Sequence, residues 1–593
     1  MSDNDNDNDI SNQHPRSLLT VDIGSINTRV SLFDVVEGRY RYLASGRAGS
    51  TANAPMFDIS EGLRQAMVQL QRVSSRPLMG ANGQLIIPST ENGAGADNLA
   101  VSISFGEPLK TVVAGLLDRV SLASALNLAK STYTNVVETI SIGSQGTNES
   151  RIDKILRIRP EVIIISGGTN EGASSSVLKL VNTLGMALYL MPKEARPEVL
   201  FAGNPELQAH VQAFFKQIAP IHVAPNIRPS LAVEQLGPAQ SILTDIFQRV
   251  NMDKTTGISE LTSWASGNML PAAAGLGRVI RFFSKMVQNT SKRGVLGIDI
   301  GASTTTVAAG FNGDLRLRVF NNLGMGGGLT GVMENIHVED ILRWLPLDIP
   351  KGYVINYIQN KILHPSIIPA TEEDMAVEQA IAREVIRYSI KEAEASFPKD
   401  APRLSTETIP LFAPILVGGG VLSLAPSPVD SLLMILDAVQ PNGIQQIILD
   451  KNNIAPTLGA AAEVNPILVS QLLLDPVAFL NLGTIIAPVG KVRHDQPVVR
   501  IRIAYDSGQE NTVTVRKGSI AKIPLAVGRK ATLYIDPLHR TNVGEGPGKS
   551  VLVHVVGGPF GVVVDARGRP VELPSSDEKR RDELFKWHDA LQF

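Results

Sequence analysis

The stretch Val295-Leu296-Gly297-Ile298-Asp299-Ile300-Gly301-Ala302-Ser303-Thr304-Thr305-Thr306 decides the fold, because its pattern occurs a second time near the amino terminus. The other copy reads Leu18-Leu19-Thr20-Val21-Asp22-Ile23-Gly24-Ser25-Ile26-Asn27-Thr28. In each copy an apolar run ends at an aspartate, a hydroxyl-rich Asp-x-Gly turn follows, and a second apolar run returns along the chain. Such apolar runs predict buried strands. The repetition therefore predicts two lobes of similar construction.

The chemistry of the two turns favours a phosphate-bearing ligand. Gly24 and Gly301 let the backbone approach a phosphate without a Cβ in the way, and successive amide groups of such a turn can donate to its oxygens. A carboxylate and a polyphosphate repel each other unless a cation lies between them. Asp22 and Asp299 are therefore interpreted as ligands of hydrated Mg²⁺, which needs only one or two carboxylates besides phosphate. The side chains expected to contact phosphate are Ser25, Thr28, Arg29, Ser303 and Thr304.

A third turn, Gly418-Gly419-Gly420, follows an apolar run in the second half of the chain. Glycines at such a place suit a flat base or a ribose packed against the backbone. Taken alone, the turn could equally be an ordinary glycine-rich connection. Asp450 and Asn453 follow the next apolar run, and they either complete the same cleft or cap the helix that comes after them.

The rest of the chain is organised around these turns. Strand and helix signals alternate to about residue 223, which predicts a mostly parallel sheet, although residues 108–129 are predicted to form one helix. From residue 497 the pattern has a period of two, typical of a small all-β module. The predicted segments are 1–16, a disordered acidic tail; 17–230, the first lobe with an α/β insertion; 231–290, a helical connector; 291–487, the second lobe; 488–574, the β module; and 575–593, a helical tail.

The composition excludes several kinds of site and partner. The chain of 593 residues has no cysteine, which removes disulfides, iron–sulfur clusters and thiolate zinc sites. Its 55 Lys and Arg nearly balance its 57 Asp and Glu, so we expect neither a nucleic-acid partner nor a membrane partner. No apolar run reaches the roughly 20 residues that span a bilayer. These features fit a cytoplasmic protein.

Further segments bear a resemblance to a known family. They are Ser166-Gly167-Gly168-Thr169-Asn170-Glu171-Gly172, Phe201-Ala202-Gly203-Asn204, Pro225-Asn226-Ile227-Arg228-Pro229 and Leu323-Gly324-Met325-Gly326. With the three turns in this order, the chain resembles the MutL (GlmL) family, actin-like ATPases associated with glutamate mutase. That family belongs to the superfamily of acetate and sugar kinases, heat-shock ATPases and actin. The resemblance covers roughly residues 18–463.

The resemblance implies a two-lobed actin-like α/β fold with ribonuclease H-like lobes, here followed by the C-terminal all-β module. It implies ATP and Mg²⁺ as cofactors in one cleft between the lobes, with Asp22 and Asp299 positioning the metal and the attacking water. It also implies a chaperone or reactivation role for an adenosylcobalamin-dependent mutase. Family members often carry an acidic residue where this chain has Thr306, which leaves ATP hydrolysis open. The alternative is a non-hydrolysing actin-like scaffold or assembly protein.

Overall fold

The computed structural model describes residues 16–143, 147–252, 254–287 and 293–592. The predicted acidic tail, apart from Arg16, lies outside the described residues. Within these ranges no helix is long and apolar enough to cross a membrane.

The first lobe begins with an antiparallel hairpin built on the first Asp-x-Gly turn. Its elements are β1 (Ser17–Ile23), β2 (Asn27–Val36), β3 (Arg39–Gly49), α1 (Ser60–Ser74) and β4 (Asn98–Ile103). β1 pairs antiparallel with β2, which pairs antiparallel with β3, and β4 lies parallel to β1 on its other side. Because β1 is central, nearly all of its side chains are buried.

An inserted subdomain follows, and its sheet is entirely parallel. Its elements are β5 (Leu109–Gly115), α2 (Ala123–Ala129), β6 (Thr134–Ser141), α3 (Asn148–Ile158), β7 (Val162–Ile165), α4 (Ser174–Tyr189), β8 (Glu198–Phe201), α5 (Gln208–Phe215) and β9 (Ile221–Val223). The strands lie in the order β6-β5-β7-β8-β9. The predicted parallel sheet is confirmed. The single helix predicted over residues 108–129 is wrong, because its first half is the buried strand β5.

The chain then returns to the first lobe before it enters the second. The elements here are α6 (Gly237–Met252), α7 (Ile258–Trp264), β10 (Leu270–Pro271) and α8 (Ala272–Val287). The short strand β10 pairs parallel with β4, which completes a sheet of order β10-β4-β1-β2-β3.

The second lobe repeats the arrangement of the first. Its elements are β11 (Gly294–Ile300), β12 (Thr304–Phe311), β13 (Asp314–Asn321), α9 (Leu329–Asn335), α10 (Val338–Leu342), α11 (Lys351–Leu363), α12 (Glu372–Glu394), β14 (Phe412–Gly418), α13 (Gly420–Ser423), α14 (Pro428–Val439), β15 (Gly443–Leu449), α15 (Ala455–Ala461), α16 (Pro466–Leu473) and β16 (Leu480–Ala487). The order β13-β12-β11-β14-β15 has the same antiparallel triplet and parallel pair as the first lobe. The two-lobed actin-like fold is therefore confirmed.

The C-terminal strands form two structures. The elements are β17 (Pro497–Tyr505), β18 (Glu510–Arg516), β19 (Ile520–Ile523), β20 (Lys530–Pro537), β21 (Val551–Val556), β22 (Val562–Asp565) and α17 (Asp577–Asp589). Four of these strands form the predicted β module, an antiparallel sheet of order β18-β17-β20-β21. The other two, β22 and β19, continue the second-lobe sheet beyond β16. The residue boundaries of the predicted segments stay predictions. Three strands join sheets across them: β10 of the predicted connector pairs with the first lobe, and β22 and β19 of the predicted β module extend the sheet of the second lobe.

The two lobes meet at a close crossing of two helices. α15, from the second lobe, packs on β1 and β4 of the first, and α8 packs on β11, β12 and β13 of the second. At the crossing, a Cβ added to Gly459 of α15 would lie 2.0 Å from the carbonyl oxygen of Gly275 in α8. The absence of a side chain on both helices is what lets their backbones touch.

Candidate functional site

The two Asp-x-Gly turns close in the same way and face each other. In the first, the amide of Gly24 donates to the carbonyl of Asn27 at 2.9 Å, and in the second the amide of Gly301 donates to Thr304, also at 2.9 Å. Between the turns, the Ser303 hydroxyl donates to Ser25 Oγ at 2.9 Å. Both turns line one cavity of about 670 Å³, a size typical of a cofactor site.

The floor of the cavity is acidic. Ser102 Oγ donates to Asp22 Oδ1 at 2.7 Å. Desolvation raises the pKa of Asp22, opposed by the charge of Arg29 and by the Ser102 hydrogen bond. Desolvation, and then the charges of Asp22 and Asp450, raise the pKa of Asp299 to about 7, again opposed by Arg29. The carboxylates repel one another, and the positive charge of Arg29 opposes this repulsion. The site therefore favours the binding of a cation.

Asp450 and Asn453 have different roles, which settles the alternatives left open by the sequence. Asp450 is buried, and its carboxylate accepts the amides of Ile454 and Ala455 at 3.0 and 2.7 Å, at the start of α15. Burial raises its pKa to about 6. Asn453 lines the cavity, and its carbonyl accepts from Arg29 Nη1 at 3.1 Å, which ties the second lobe to the first.

The glycine-rich turn after β14 is held by the same asparagine. The amide of Gly419 donates to Asn453 Oδ1 at 2.8 Å, and Asn453 Nδ2 donates to Ser423 Oγ at 2.7 Å. Gly419 has a φ of 108°, and a Cβ there would lie 2.2 Å from the carbonyl oxygen of Ile300. Only glycine fits this backbone. The turn therefore lies directly against the second Asp-x-Gly turn.

The cavity brings together nearly all of the site residues that the sequence singled out. Those that line it are Asp22, Gly24, Ser25, Arg29, Asp299, Gly301, Ser303, Thr304, Gly419 and Gly420. Thr28 does not, because its buried side chain points toward α1, where a Cβ on Gly62 would lie 3.3 Å from Thr28 Oγ1. Gly418 does not line it either. It pairs with Asp299 in the sheet, and a Cβ at Gly418 would lie 3.2 Å from Asp299 Oδ1.

Several lining residues were not found from the sequence. Lys361 of α11 forms a buried ion pair with Glu378 of α12, which also accepts from Tyr357. The one available signal was a lysine that continues the buried face of α11 after Val354 and Ile358. The lining also includes apolar side chains: Ile367, Ile368, Met375, Val421 and Leu424. Tyr133, from the inserted subdomain, lies near the acidic floor and accepts the amide of Ala273 at 3.3 Å.

The donor set is compatible with a metal shared with a ligand. Among the described residues, no group of three or more His, Asp or Glu could hold a metal ion on its own. Asp22 and Asp299 supply two carboxylates, which is the number that Mg²⁺ uses when phosphate and water complete its shell.

Comparison with known proteins identifies the family. The family model described as MutL protein matches residues 18–476. The chain belongs to the MutL family. Its two lobes of matching strand order, with a cleft lined by both, make it an actin-like protein of this family.

Other comparisons with the MutL-family chain are distant. No curated protein sequence matches it. Acetone carboxylase in its nucleotide-free structure is similar over 85% of this chain and 81% of its own, with 10% identity and a TM-score of 0.30. Ethanolamine utilization protein EutJ from Carboxydothermus hydrogenoformans is similar over 75% of this chain and 89% of its own, with 10% identity and a TM-score of 0.28. Xylulose kinase from Bifidobacterium adolescentis is similar over 77% of this chain and 93% of its own, with 10% identity and a TM-score of 0.28.

Proposed function

We propose that this protein binds ATP with Mg²⁺ in the cleft between its lobes and serves as a chaperone or reactivation factor for an adenosylcobalamin-dependent mutase. The observation that supports ATP most directly is the meeting of the two Asp-x-Gly turns, with Ser25 and Ser303 at 2.9 Å. Phosphates held between the turns would contact both lobes at once. Binding would then favour one arrangement of the lobes over another, which is how a ligand drives a conformational change.

The phosphates would bind at the two Asp-x-Gly turns. The amides of Gly24 and Gly301 close their own turns, so the donors would be the amides of residues 25, 302 and 303 and the hydroxyls of Ser25, Ser303 and Thr304, and Arg29 would supply a fixed positive charge. Asp22 and Asp299 would hold Mg²⁺, which would neutralise phosphate charge and relieve the repulsion between the two carboxylates. Both carboxylates line the cavity, so they would also be the residues that orient an attacking water.

The glycine-rich turn and the apolar lining would hold the adenosine. Gly419 and Gly420 line the cavity with backbone, and Met375 and Ile367 contribute apolar side chains to the same lining. A purine ring needs flat apolar contact with a few polar groups, and the buried pair of Lys361 and Glu378 supplies polar groups on the neighbouring wall.

The test of nucleotide binding is a titration of the full chain with ATP in the presence and absence of Mg²⁺. We expect Asp299→Asn to weaken Mg·ATP binding by about tenfold or more, since even outer partners of a metal site cost that much. Asp400→Asn is the matched control, because Asp400 is exposed and does not line the cavity. Equal affinities for Mg·ATP in all three proteins would refute the site.

The accessory role is supported by the resemblance to glutamate mutase-associated proteins, and its test is separate. Tagged full-length protein would be used to retain partners with Mg·ATP, with Mg·ADP and without nucleotide, followed by mass spectrometry. We expect a subunit of an adenosylcobalamin-dependent mutase whose retention depends on nucleotide in the wild type and not in Asp299→Asn. A mutase retained equally under every condition, or none retained, would contradict the role.

One observation favours a second candidate, a non-hydrolysing actin-like scaffold. Thr306 is 3% exposed and does not line the cavity, so it offers no base for water attack. Glu378 does line it but is occupied by Lys361 and Tyr357. Phosphate release at background level, together with filaments or a stable assembly in the presence of ATP, would favour the scaffold over the chaperone.

A further inference from the structure

The inserted subdomain has the architecture of a ligand-binding domain in its own right. Its five parallel strands run through the sheet in the order second, first, third, fourth, fifth. In open α/β sheets the usual ligand crevice lies outside the carboxyl ends of the strands, at the point where the strand order reverses, which here is between β5 and β7. A cavity of about 330 Å³ lies at the same carboxyl edge but away from that point, between the ends of β8 and β9 and beside the loop after β7, so the case for a ligand there depends on its own lining. It shares no lining residue with the cleft between the lobes.

The walls of this cavity are fixed by two buried asparagines that connect three loops. Asn204, after β8, donates to the carbonyl of Gly172 at 3.1 Å. Asn226, after β9, donates to the carbonyl of Gly168 at 3.0 Å and to Asn170 Oδ1 at 3.1 Å. Asn204 is fully buried and Asn226 is 6% exposed. The loop after β7 is thus held from both sides, so the cavity is preformed.

The lining is neutral and rich in amides. None of the nine lining residues is ionisable: they are Asn170, Pro205, Gln208, Val223, Ala224, Pro225, Asn226, Pro229 and Gln235. Some amide groups there have no hydrogen-bond partner among the residues that the structure describes: Asn170 Nδ2, Gln208 Oε1 and the side chain of Gln235. A charged ligand would lose hydration here with no opposite charge to replace it.

We propose that this cavity, the amide pocket, binds a small uncharged molecule that presents carboxamide or hydroxyl groups. Asparagine and glutamine side chains each offer a donor and an acceptor, so they match groups that both give and take hydrogen bonds. The proline and aliphatic side chains of the pocket pack against the apolar part of such a ligand.

The pocket is joined to the second lobe through the residue beside Gln235. Glu234 accepts from Arg316 Nη1 at 2.9 Å and from Asn127 Nδ2 at 3.2 Å. Arg316 lies on β13, next to the strand β12 that begins at the second Asp-x-Gly turn. A ligand that contacts Gln235 therefore acts one residue away from the contact between Glu234 and the second lobe, and this part of the proposal rests on the proposed nucleotide binding.

Binding is tested without nucleotide, by saturation-transfer NMR on the full chain with two matched probes. We expect uncharged N-acetylglycinamide to bind with a dissociation constant of about 1–10 mM, the range for a ligand of so few atoms. The anionic N-acetylglycine should bind at least about fivefold more weakly, because its carboxylate has no counter-charge. No binding of the amide, or equal binding of both probes, overturns the proposal.

Variants locate the binding in the pocket. Asn170→Ala with Gln235→Ala removes exposed amides. Asn226 loses its bond to Asn170 Oδ1 but keeps the one to the carbonyl of Gly168, so the thermal midpoint should stay close to that of the control while amide binding falls about fivefold or more. Gln212→Ala, an exposed glutamine on α5 outside the pocket, is the control and should bind as the wild type does. A double variant that binds like the control overturns the assignment to this pocket.

The connection to the cleft has its own measurement. Saturating N-acetylglycinamide should change the affinity for Mg·ATP by about fivefold, the lower end of typical allosteric coupling, and Glu234→Gln should remove that change. An ATP affinity that is the same with and without the probe overturns the connection. If the wild type binds no ATP, the proposed nucleotide function fails, while the probe titration still decides the pocket.

Discussion

The substitution Gly459→Ala tests whether the lobes are joined by direct contact of two helix backbones. A Cβ at this position would lie 2.0 Å from the carbonyl oxygen of Gly275 and 2.5 Å from its Cα. Carbon and oxygen atoms pack at about 3.5 Å, so the two helices would have to separate by about 1.5 Å. The obstructing atoms are backbone, and no side-chain rotation can relieve the clash.

The expected cost follows from this geometry. Overpacking by one methyl group typically costs about 1–3 kcal/mol, and we expect the upper end here because α15 also packs on β1 and β4 of the other lobe. Gly275→Ala should cost a similar amount, since its Cβ would lie 2.1 Å from the carbonyl oxygen of Pro456. The double variant should cost less than the two single variants together, because one separation of the helices relieves both clashes.

The assay is thermal and urea unfolding of the full chain, with Gly352→Ala as the control. Gly352 is an exposed helical glycine, and a Cβ there meets nothing within 4 Å. That alanine should stabilise the protein by about 0.4–1 kcal/mol, by reducing the entropy of the unfolded chain. Binding of Mg·ATP, measured in parallel, should weaken only in the variants at the helix crossing. A Gly459→Ala protein as stable as the Gly352→Ala protein would refute the reasoning.

Three further substitutions test other parts of the structure. Gly419→Ala would place a Cβ 2.2 Å from the carbonyl oxygen of Ile300 at a φ of 108°, so calorimetry should show Mg·ATP binding weakened about tenfold. Arg567→Met removes an arginine shared by the buried carboxylates of Asp437 and Asp565, which keep Arg383 and Arg569 as partners, so urea unfolding should show a loss of about 1–3 kcal/mol. Trp587→Ala removes a side chain that is 5% exposed, so the protein should lose about 3 kcal/mol and limited proteolysis should cut the C-terminal helix faster. Unchanged binding, an unchanged urea midpoint or an unchanged cleavage rate, respectively, would contradict each expectation.

The two lobes could be predicted because their signals are local. Each Asp-x-Gly turn lies between strands that pair with each other, so the whole unit falls within some twenty consecutive residues. Strand β5, over Leu109–Gly115, could not be separated from the helix after it in the same way. Its neighbours in the sheet are β6 and β7, so its state depends on pairing that a local window does not contain.

The same limit explains which site residues were found. The turns and Gly419 lie on short segments with a recognisable pattern of glycines and hydroxyls. Tyr133 and Lys361 reach the cavity from elements far away in the chain, and nothing in their neighbouring residues indicates a ligand. Thr28 has the right residue type in the right turn, but strand alternation turns its side chain to the α1 face of the sheet.

The residue paired with the aspartate differs between the two copies of the repeat: it is Ser102 in the first lobe and Gly418 in the second. This difference helps to explain why the two copies form one site. β1 pairs with β4 as β11 pairs with β14, which places Ser102 opposite Asp22 and Gly418 opposite Asp299. The Ser102 hydroxyl donates to the carboxylate of Asp22, whereas no side-chain hydrogen bond reaches the carboxylate of Asp299 from the residues that the structure describes. Desolvation, and then the charges of Asp22 and Asp450, raise the pKa of Asp299 to about 7. The first lobe therefore supplies an oriented carboxylate and Arg29, and the second supplies a carboxylate with free acceptor capacity and the glycine-rich turn. Neither lobe holds a complete set, so a ligand with phosphates at one end and a base at the other needs both.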